Sequence, residues 1–359
     1  MSIPTILIRA DASRQIGTGH IMRCLTIATT LRAKGLISVF VCRPFDGHLM
    51  GLLEQKGFAI VCLSTPNFKD VNPNTYDTWL GACSESDAAE TLSILTVRQL
   101  DWVIVDHYGI DEKWEKVVRE KCKKLFVIDD LANRHHSCDM LVDSSYGRNC
   151  DEYSALVPAD SLIYTGTSFC MLRPEFRLFR EEMNLRDYQR PIKHILVTLG
   201  GADANNLTCQ VLQELEDAEL SENVSIVVLS GRISEHYEAI KQQAFQSRHS
   251  VTVRQDILNM AECLVWADLC IGAVGSSVWE RCCLGCPSIV GILAENQREG
   301  AQKLEKEGVF LSFSTSVRGQ LAERIKDMDS QMRERQSVNG MKIVDGLGVH
   351  RVIKLLLEN

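Results

Sequence analysis

The 359-residue sequence predicts an α/β protein of two doubly wound domains, each built on a parallel sheet. Short apolar strands alternate with amphipathic helices, and this alternation starts again after a charged segment near the middle of the chain. The strands read as nearly continuous apolar runs, which is typical of parallel sheets that helices cover on both faces. The length suits two domains that each bury a hydrophobic core.

The first half is expected to form a domain over residues 1–172. Its strands are predicted at 5–10, 37–42, 58–63, 102–106, 124–130 and 140–145. Its helices are predicted at 21–34, 49–56, 87–100 and 112–121. Ligands of such sheets sit at the carboxyl ends of the strands, so the loops that follow the strands are where functional residues are sought.

A charged segment over 173–192, with a proline near each end, is interpreted as a linker. A second domain is expected over 193–340 and a C-terminal helix within 341–359. Its strands are predicted at 194–201, 224–231, 251–255, 268–275 and 287–293, and its helices at 207–216, 234–244, 257–267, 277–284 and 297–307. The two domains are expected to face each other across a cleft.

Composition and charge narrow the function classes. The formal net charge is −8 with both signs mixed along the chain, which argues against nucleic acid and anionic membranes as partners. No apolar run approaches the roughly 20 residues that span a bilayer, and the start lacks a signal-like core, so we expect a cytoplasmic protein without membrane insertion. The fourteen cysteines include a lone C-x-x-C at Cys283 and Cys286, and we interpret them as core residues and expect no metal and no cofactor.

The loop after the first strand, DASRQIGTGH, carries a candidate catalytic histidine. Gly17 and Gly19 allow a tight turn and a close approach to a ligand, and His20 begins the next helical pattern. The positive end of a helix favours the neutral imidazole, which is the form that acts as a general base. The alternative is that His20 only hydrogen-bonds a carbonyl of the loop.

The second half contains two further glycine turns before helices. Gly200 and Gly201 follow a strand, and Gly275, Ser276 and Ser277 precede a helix, so both turns are candidate phosphate sites. Glu280 lies one turn inside that second helix, where a carboxylate can accept hydrogen bonds from a ribose diol. The alternative for Glu280 is a helix-stabilising acid near an N-terminus.

Two aspartates and a histidine also lie at predicted strand ends in the first half. Asp11 is a candidate to orient His20, as carboxylates often do for a catalytic imidazole, and Asp106 is a second candidate site residue. Either aspartate can instead cap its loop. His107 is a weaker candidate because it points away from the following Tyr108 if the strand continues.

Several strings along the chain together resemble one group of enzymes. They are RADASRQIGTGHIMRCLTIA, DWVIVDHYGID, VIDDLANRHHSCDMLVD, LRPEF, GGADANNLT, GSSVWERCCLGCPSIV and LAENQ. The chain is similar to the UDP-sugar hydrolases of pseudaminic acid biosynthesis and their spore-coat-polysaccharide relatives, which have the GT-B architecture of UDP-sugar enzymes. The strings extend from residue 9 to residue 297 in the order of the family.

The resemblance implies hydrolysis of a UDP-linked diacetamido-trideoxy-hexose to free sugar and UDP, on the route to a nonulosonic acid used in flagellin glycosylation. It implies cleavage of the sugar C1–O bond with inversion and without a metal. His20 corresponds to the base that activates water, Tyr108 to a sugar contact, and Glu280 to the ribose contact. Asn296 corresponds to the asparagine of ENQ, and Ile257 would meet uracil.

The chain departs from the family at MLVDSSYG, where LLLDQN is usual, so roles of that Gln-Asn pair do not transfer. Three rival functions stay open: a glycosyltransferase of the same architecture, a UDP-sugar epimerase, and a nucleotide-sugar-binding module without catalysis. The identity of the sugar stays open as well. The expected partner is the small-molecule UDP-sugar, and the expected oligomeric state is a monomer.

Overall fold

The computed structural model describes residues 5–66, 76–93, 99–181, 183, 186–201, 203–221, 223–255, 259–293 and 297–359. The chain divides into two compact units. Unit 1 comprises residues 1–171 together with 347–359, and unit 2 comprises residues 172–346. Each unit is a parallel sheet with helices, so the predicted fold class is confirmed.

Unit 1 contains a seven-stranded parallel sheet in the order β3-β2-β1-β4-β5-β6-β7. The strands are β1 (Thr5–Ala10), β2 (Ile37–Cys42), β3 (Ala59–Cys62), β4 (Leu100–Asp106), β5 (Cys122–Ile128), β6 (Met140–Asp143) and β7 (Leu162–Thr165). The helices that accompany them are α1 (Gly19–Ala33), α2 (Met50–Gln55), α3 (Ser84–Ser93) and α4 (Glu112–Val118).

The centre of this sheet is largely buried, because β1, β4 and β5 are mostly apolar, and β1 and β4 also bury the charged residues Arg9 and Asp106. Leu7, Val103 and Val127 pack with Trp114 of α4 in one cluster. The strand order reverses between β1 and β4, which are hydrogen-bonded neighbours. At such a reversal the loops leave in opposite directions, and a crevice opens at the carboxyl ends of the two strands.

Unit 2 contains a six-stranded parallel sheet in the order β10-β9-β8-β11-β12-β13. The strands are β8 (His194–Thr198), β9 (Ser225–Leu229), β10 (Ser250–Arg254), β11 (Leu269–Ala273), β12 (Ser288–Ile292) and β13 (Leu311–Ser314). The order reverses between β8 and β11. The same topological argument therefore puts a second crevice at the ends of these two strands.

The first helix of unit 2 lies within the segment 173–192, which was expected to be a linker. The helices of this unit are α5 (Pro174–Arg180), α6 (Leu207–Asp217), α7 (Tyr237–Phe245), α8 (Met260–Trp266), α9 (Ser277–Cys283), α10 (Arg298–Lys306), α11 (Gln320–Lys326) and α12 (Ser330–Ile343). Helix α5 starts with Pro174 in its first turn, which suits a residue without an N–H. It contacts α8 and α9, so this stretch is part of the packed unit.

The last helix, α13 (Gly348–Glu358), returns to unit 1. It packs against α1, and its buried residues include Val349, Val352, Ile353 and Leu356. Gly348 lies so close to the backbone of Cys170 that a Cβ would overlap it. The helix expected within 341–359 is therefore present, and it packs in the unit formed by the first 171 residues.

All fourteen cysteines lie in the described ranges and none of them forms a disulfide. Cys283 and Cys286 are both buried, and burial raises the pKa of the Cys283 thiol to about 11. Among the described helices, none is long and apolar enough to cross a membrane.

Candidate active site

The loop between β1 and α1 is a compact turn that presents a histidine at the start of a helix. The Gly17 amide donates to the Ser13 carbonyl at 2.8 Å, and the Ser13 hydroxyl accepts from the amide of Ile16 at 2.9 Å. Gly17 has φ 82°, a left-handed conformation that favours glycine. Gly19 is the first residue of α1 and His20 is the second. The predicted glycine turn before a helical histidine is therefore present.

His20 is bonded to a carboxylate at the end of β4. Its Nδ1 lies 2.6 Å from Oδ1 of Asp106, and the histidine is 7% exposed while Asp106 is fully buried. Burial alone would raise the pKa of Asp106, but the charge of Arg23 and the hydrogen bonds from Arg23 and His20 outweigh it and hold that pKa well below its usual range. Because an ionised carboxylate only accepts hydrogen bonds, the Nδ1 of His20 is the donor of this bond.

Arg23 was not among the predicted site residues, yet it connects the whole cluster. Its Nε and Nη2 donate to the two oxygens of Asp106, each at 2.7 Å. Its Nη1 lies 3.0 Å from Oδ2 of Asp130. A signal was available, because Arg23 follows His20 by three residues and such residues share one face of a helix. Asp130 follows the end of β5 in the string VIDD.

Tyr108 closes the cluster on a third side. Its hydroxyl donates to Oδ2 of Asp130 at 2.9 Å, and its ring meets the His20 ring edge-on at 4.6 Å between centroids. Trp79 stacks on Tyr108 and Tyr76 packs against both. Burial and the neighbouring Asp130 charge raise the pKa of Tyr108 well above its usual value, so it remains a hydroxyl. The predicted Tyr108 is therefore beside His20.

Asp11 does not orient His20, and this part of the prediction is wrong. Oδ2 of Asp11 lies 2.7 Å from Nη1 of Arg9, and Oδ1 accepts from the Arg43 amide at 2.7 Å. Its remaining neighbour is His107, with Nε2 at 3.3 Å. Asp11 follows β1 and lies in the ionic core beside it because Arg9, two residues earlier, supplies a buried positive charge. Residues at that spacing share one face of a strand, so the sequence did carry a signal for this pair.

β4 ends at Asp106, so the strand alternation on which the expectation for His107 depended does not extend to it, and His107 lies beside Asp11. The Gly109 amide donates to its Nδ1 at 3.0 Å, so the proton of the neutral ring sits on Nε2 and faces Asp11. Burial lowers the pKa of His107 although the Asp11 charge opposes the effect. Gly109 itself touches the Tyr76 carbonyl so closely that a Cβ would not fit.

In unit 2, the paired glycines follow β8 at the reversal of strand order. Gly200 has φ 98°, which favours glycine. Gly231, which follows β9, packs against the carbonyl of Gly201, and a Cβ there would lie well inside van der Waals contact. The next helix, α6, is capped by Asp203, whose carboxylate accepts from the amides of Leu207 and Thr208. The backbone of this turn is thus held by close glycine packing and one capping carboxylate.

The second predicted turn, Gly275 to Ser277, joins β11 to α9. Ser276 is the N-cap residue of α9, and its hydroxyl makes no cap hydrogen bond. Glu280 lies one turn inside the helix, where its Oε1 accepts from Nη2 of Arg173 at 3.3 Å. Burial raises the pKa of Glu280, and the charge of Arg173 only partly offsets the effect. Sequence reasoning did not find this arginine, although it lies in the quoted string LRPEF.

Arg281 forms hydrogen bonds at both ends of the same turn. Its Nη2 donates to the Ala273 carbonyl at 2.8 Å and its Nη1 to the Ser277 hydroxyl at 3.2 Å. A Cβ on Gly272 would meet this guanidinium. Two of the predicted contacts, Ile257 and Asn296, lie outside the described residues.

Comparisons with known proteins agree with this architecture. Residues 194–346 match the family model described as Glycosyltransferase family 28 C-terminal domain. MurG of Acinetobacter baumannii, a solved structure, superposes with a TM-score of 0.64 at 16% identity over 99% of this chain and 100% of that one. At that level of identity the similarity shows the fold alone, and it is the fold of GT-B enzymes.

Three curated relatives cover most of this chain. One is the Campylobacter jejuni protein named UDP-2,4-diacetamido-2,4,6-trideoxy-beta-L-altropyranose hydrolase, 26% identical over 86% of this chain and 98% of the relative. Another is the spore coat polysaccharide biosynthesis protein SpsG of Bacillus subtilis, 24% identical over 98% and 97%. Uncharacterized protein MJ1062 of Methanocaldococcus jannaschii is 27% identical over 82% of this chain, which spans 57% of its length. The resemblance inferred from the motifs is therefore confirmed.

Proposed function

We propose that this protein hydrolyses a UDP-sugar to UDP and free sugar, and that UDP-2,4-diacetamido-2,4,6-trideoxy-β-L-altropyranose is its substrate. The observation that carries the proposal is His20 at the start of α1, bonded to the ionised Asp106 through Nδ1. That bond leaves the lone pair of Nε2 to accept a proton, which is what a general base requires. The name of the Campylobacter jejuni relative supports the hydrolase and its sugar.

In the proposed reaction, Nε2 of His20 takes a proton from water as the water oxygen attacks C1 of the sugar. The C1–O bond breaks, and its electron pair leaves with the β-phosphate of UDP. Asp106 stabilises the imidazolium that forms, because the carboxylate is already ionised and in contact. A positioned base of this kind contributes about 10²–10⁴-fold. Attack from the side opposite the leaving group gives the inverted anomer.

The nucleotide is bound by unit 2 in this proposal. Gly201 and the turn Gly275–Ser277 contact the diphosphate, and Glu280 accepts hydrogen bonds from the ribose. Both turns follow strands at the reversal of strand order, which is where parallel sheets bind nucleotides. Asn296 and Ile257 complete the set as the leaving-group and uracil contacts that the family resemblance implies.

Product analysis in H₂¹⁸O tests the reaction. The purified protein is incubated with the UDP-diacetamido sugar and with a panel of other UDP-sugars, and products are followed by mass spectrometry and NMR. We expect ¹⁸O at C1 of the free sugar, unlabelled UDP and the inverted anomer. Label in the phosphate would place the cleavage at the P–O bond and contradict attack at C1.

His20→Asn tests the base. We expect turnover to fall by about 100-fold or more, with UDP binding retained, because the water loses its proton acceptor. His135→Asn is the matched control, since that histidine belongs to the same unit and is exposed. Near-normal turnover in His20→Asn would remove His20 from the role of base.

The second candidate is transfer of the sugar to an acceptor. The match of residues 194–346 to a glycosyltransferase domain favours it. Adding acceptor sugars to the same assay separates the two, because a transferase yields a glycoside at the expense of free sugar. Binding of UDP-sugars without any turnover would identify a module without catalysis.

A further inference from the structure

Arg23 stands in the string RADASRQIGTGHIMRCLTIA, but neither the family resemblance nor the proposed reaction gives it a role. It lies on α1, one turn after His20, and its guanidinium forms a bidentate pair with Asp106 while its third nitrogen reaches Asp130. The Arg23 side chain is 12% exposed and the Asp106 side chain is fully buried. Such a buried, bidentate pair is specific in geometry and costly to break.

We propose that Arg23 is a positioning residue that sets the basicity of His20 through Asp106. It holds the Asp106 carboxylate in the plane that receives Nδ1, and it neutralises most of that negative charge. His20 is thereby aligned by a carboxylate without being driven into the imidazolium form before substrate binds. This inference rests on the proposed role of His20 as base.

The geometry of Asp106 carries the first step. Oδ1 accepts from both His20 Nδ1, at 2.6 Å, and Arg23 Nη2, at 2.7 Å, so the imidazole and the guanidinium share one oxygen. Oδ2 accepts from Arg23 Nε at 2.7 Å and lies 3.8 Å from the Cys24 thiol. Without Arg23, Oδ2 would keep only the weak thiol donor, and the whole carboxylate charge would act on His20.

The charge balance of the cluster carries the second step. Asp106 and Asp130 contribute two negative charges and Arg23 one positive charge, so the cluster is left with one net negative charge while His20 is neutral. Protonation of His20 during the reaction brings the cluster to neutrality. A single arginine between two carboxylates therefore restrains the imidazole at rest and still allows it to accept a proton.

Other groups around His20 do not replace this effect. The titratable or aromatic groups that face it, directly or through one intermediate, are Cys24 and Arg23 on α1, Asp106 on β4, His107 and Tyr108 after β4, Trp79 before α3, Asp130 after β5, and Asp11 after β1 behind His107. Tyr108 and Cys24 remain protonated because burial raises the pKa of each. Asp11 is paired with Arg9. Among these described groups, Arg23 is the cation in contact with Asp106.

The test titrates the imidazole and the reaction in the same variants of the whole protein. In ¹³C-histidine-labelled protein, the resonance of His20 is assigned by its loss in His20→Asn and followed from pH 5 to pH 9. In Arg23→Met we expect the midpoint to move upward by about one pH unit, because a positive charge that disfavours the imidazolium has been removed from a few ångströms away. The acid limb of kcat/KM against pH should move upward by the same amount.

Three variants make the outcome specific. Arg23→Lys keeps the charge and should return most of the wild-type midpoint while losing the bidentate geometry. Asp130→Asn leaves Arg23 to Asp106 alone and should move the midpoint downward. Arg32→Met removes a positive charge from the exposed face of the same helix and should leave the profile in place.

An unchanged His20 midpoint in folded Arg23→Met would overturn the inference, whatever the loss of activity. If Arg23→Met does not fold, equal midpoints in Arg23→Lys, Asp130→Asn and wild type would overturn it. The proposed function fails separately, when wild type releases no UDP or His20→Asn retains turnover. The NMR titration needs no substrate, so it decides the role of Arg23 in either case.

Discussion

The two units bear the same kind of sheet but finish its functional edge in opposite ways. In unit 1 the ends of β1 and β4 carry ionised side chains in buried pairs, among them Asp106 with Arg23 and Asp11 with Arg9. In unit 2 the ends of β8 and β11 carry glycine turns, in which no side chain covers the backbone at the glycine positions. The contrast suits a division between proton transfer, which needs tuned side chains, and diphosphate binding, which needs backbone N–H groups.

The buried charges of unit 1 extend well below the candidate site. Asp87 of α3 accepts from Arg9, Arg43 and the Trp114 indole, all within buried surroundings. Arg9 in turn reaches Asp11, whose other neighbour is His107. We call these residues, Arg9, Asp11, Arg43, Asp87 and His107, the ionic layer. It links α3 to the ends of the first, second and fourth strands, and the loops that carry His20 and Tyr108 follow two of those strands.

The largest effect is expected from breaking that layer. In Asp87→Ala, Arg9 and Arg43 lose a shared buried counterion, which should lower the free energy of unfolding by about 3–5 kcal/mol. Hydrogen exchange on peptides of each unit should show the loss in unit 1. Asp46→Ala, which removes an exposed partner of Arg14, is the control and should cost less than about 1 kcal/mol. Equal costs in the two variants would contradict the picture.

Unit 2 should be damaged by added volume instead of lost charge. Gly231→Ala drives a methyl group against the Gly201 carbonyl, so the turn after β8 must shift at a cost of about 1–3 kcal/mol. Gly300→Ala on α10 adds the same methyl group where nothing lies within 4 Å and should be tolerated. Thermal unfolding and hydrogen exchange around residues 200–201 measure the difference. A harmless Gly231→Ala would show that this backbone is not tightly held.

The loss of stability at acid pH should depend on Asp87 of unit 1. Burial raises the pKa of Asp87, but Arg9 and Arg43 lower it further, to about 2. A depressed native pKa contributes stability that is present above the unfolded pKa near 3.8 and is lost as pH falls towards 2, which amounts to about 2 kcal/mol. Urea unfolding of wild type and Asp87→Asn should therefore differ at pH 5 and converge near pH 2. A constant difference across that range would exclude the linkage.

The smallest effect is expected at the ribose contact of unit 2. Glu280→Ala should weaken UDP binding about tenfold, because the ribose hydroxyls lose their acceptor. Calorimetry with UDP measures it, and Glu238→Ala, at an exposed glutamate of α7, is the control. Unchanged affinity would favour the alternative in which Glu280 stabilises its helix and pairs with Arg173.

The pattern predicted the central strands of each sheet and one edge strand of each. Strands β1, β4 and β11 read as apolar runs and were placed within a residue or two of their ends. The edge strands β3 and β10 were placed within one residue at each end, whereas β7 and β13 at the opposite edges were missed. β13 alternates apolar residues with serine over four residues, and β7 follows β6 without an α-helix in the described residues between them, so neither fits the alternation of apolar run and helix.

The candidate site also has a part that local patterns predicted and a part that they did not. The glycine turns, His20 and Glu280 are visible as local strings, because a turn and the helix after it are specified by neighbouring residues. In the chain, Asp106 lies 86 residues from its partner His20, Arg23 lies 83 residues from its partner Asp106, and Arg173 lies 107 residues from Glu280. Local patterning was enough for two parallel-sheet domains with a histidine at a helix start. Which carboxylate that histidine meets was decided by strand order, because β1 lies beside β4 only once the sheet has formed.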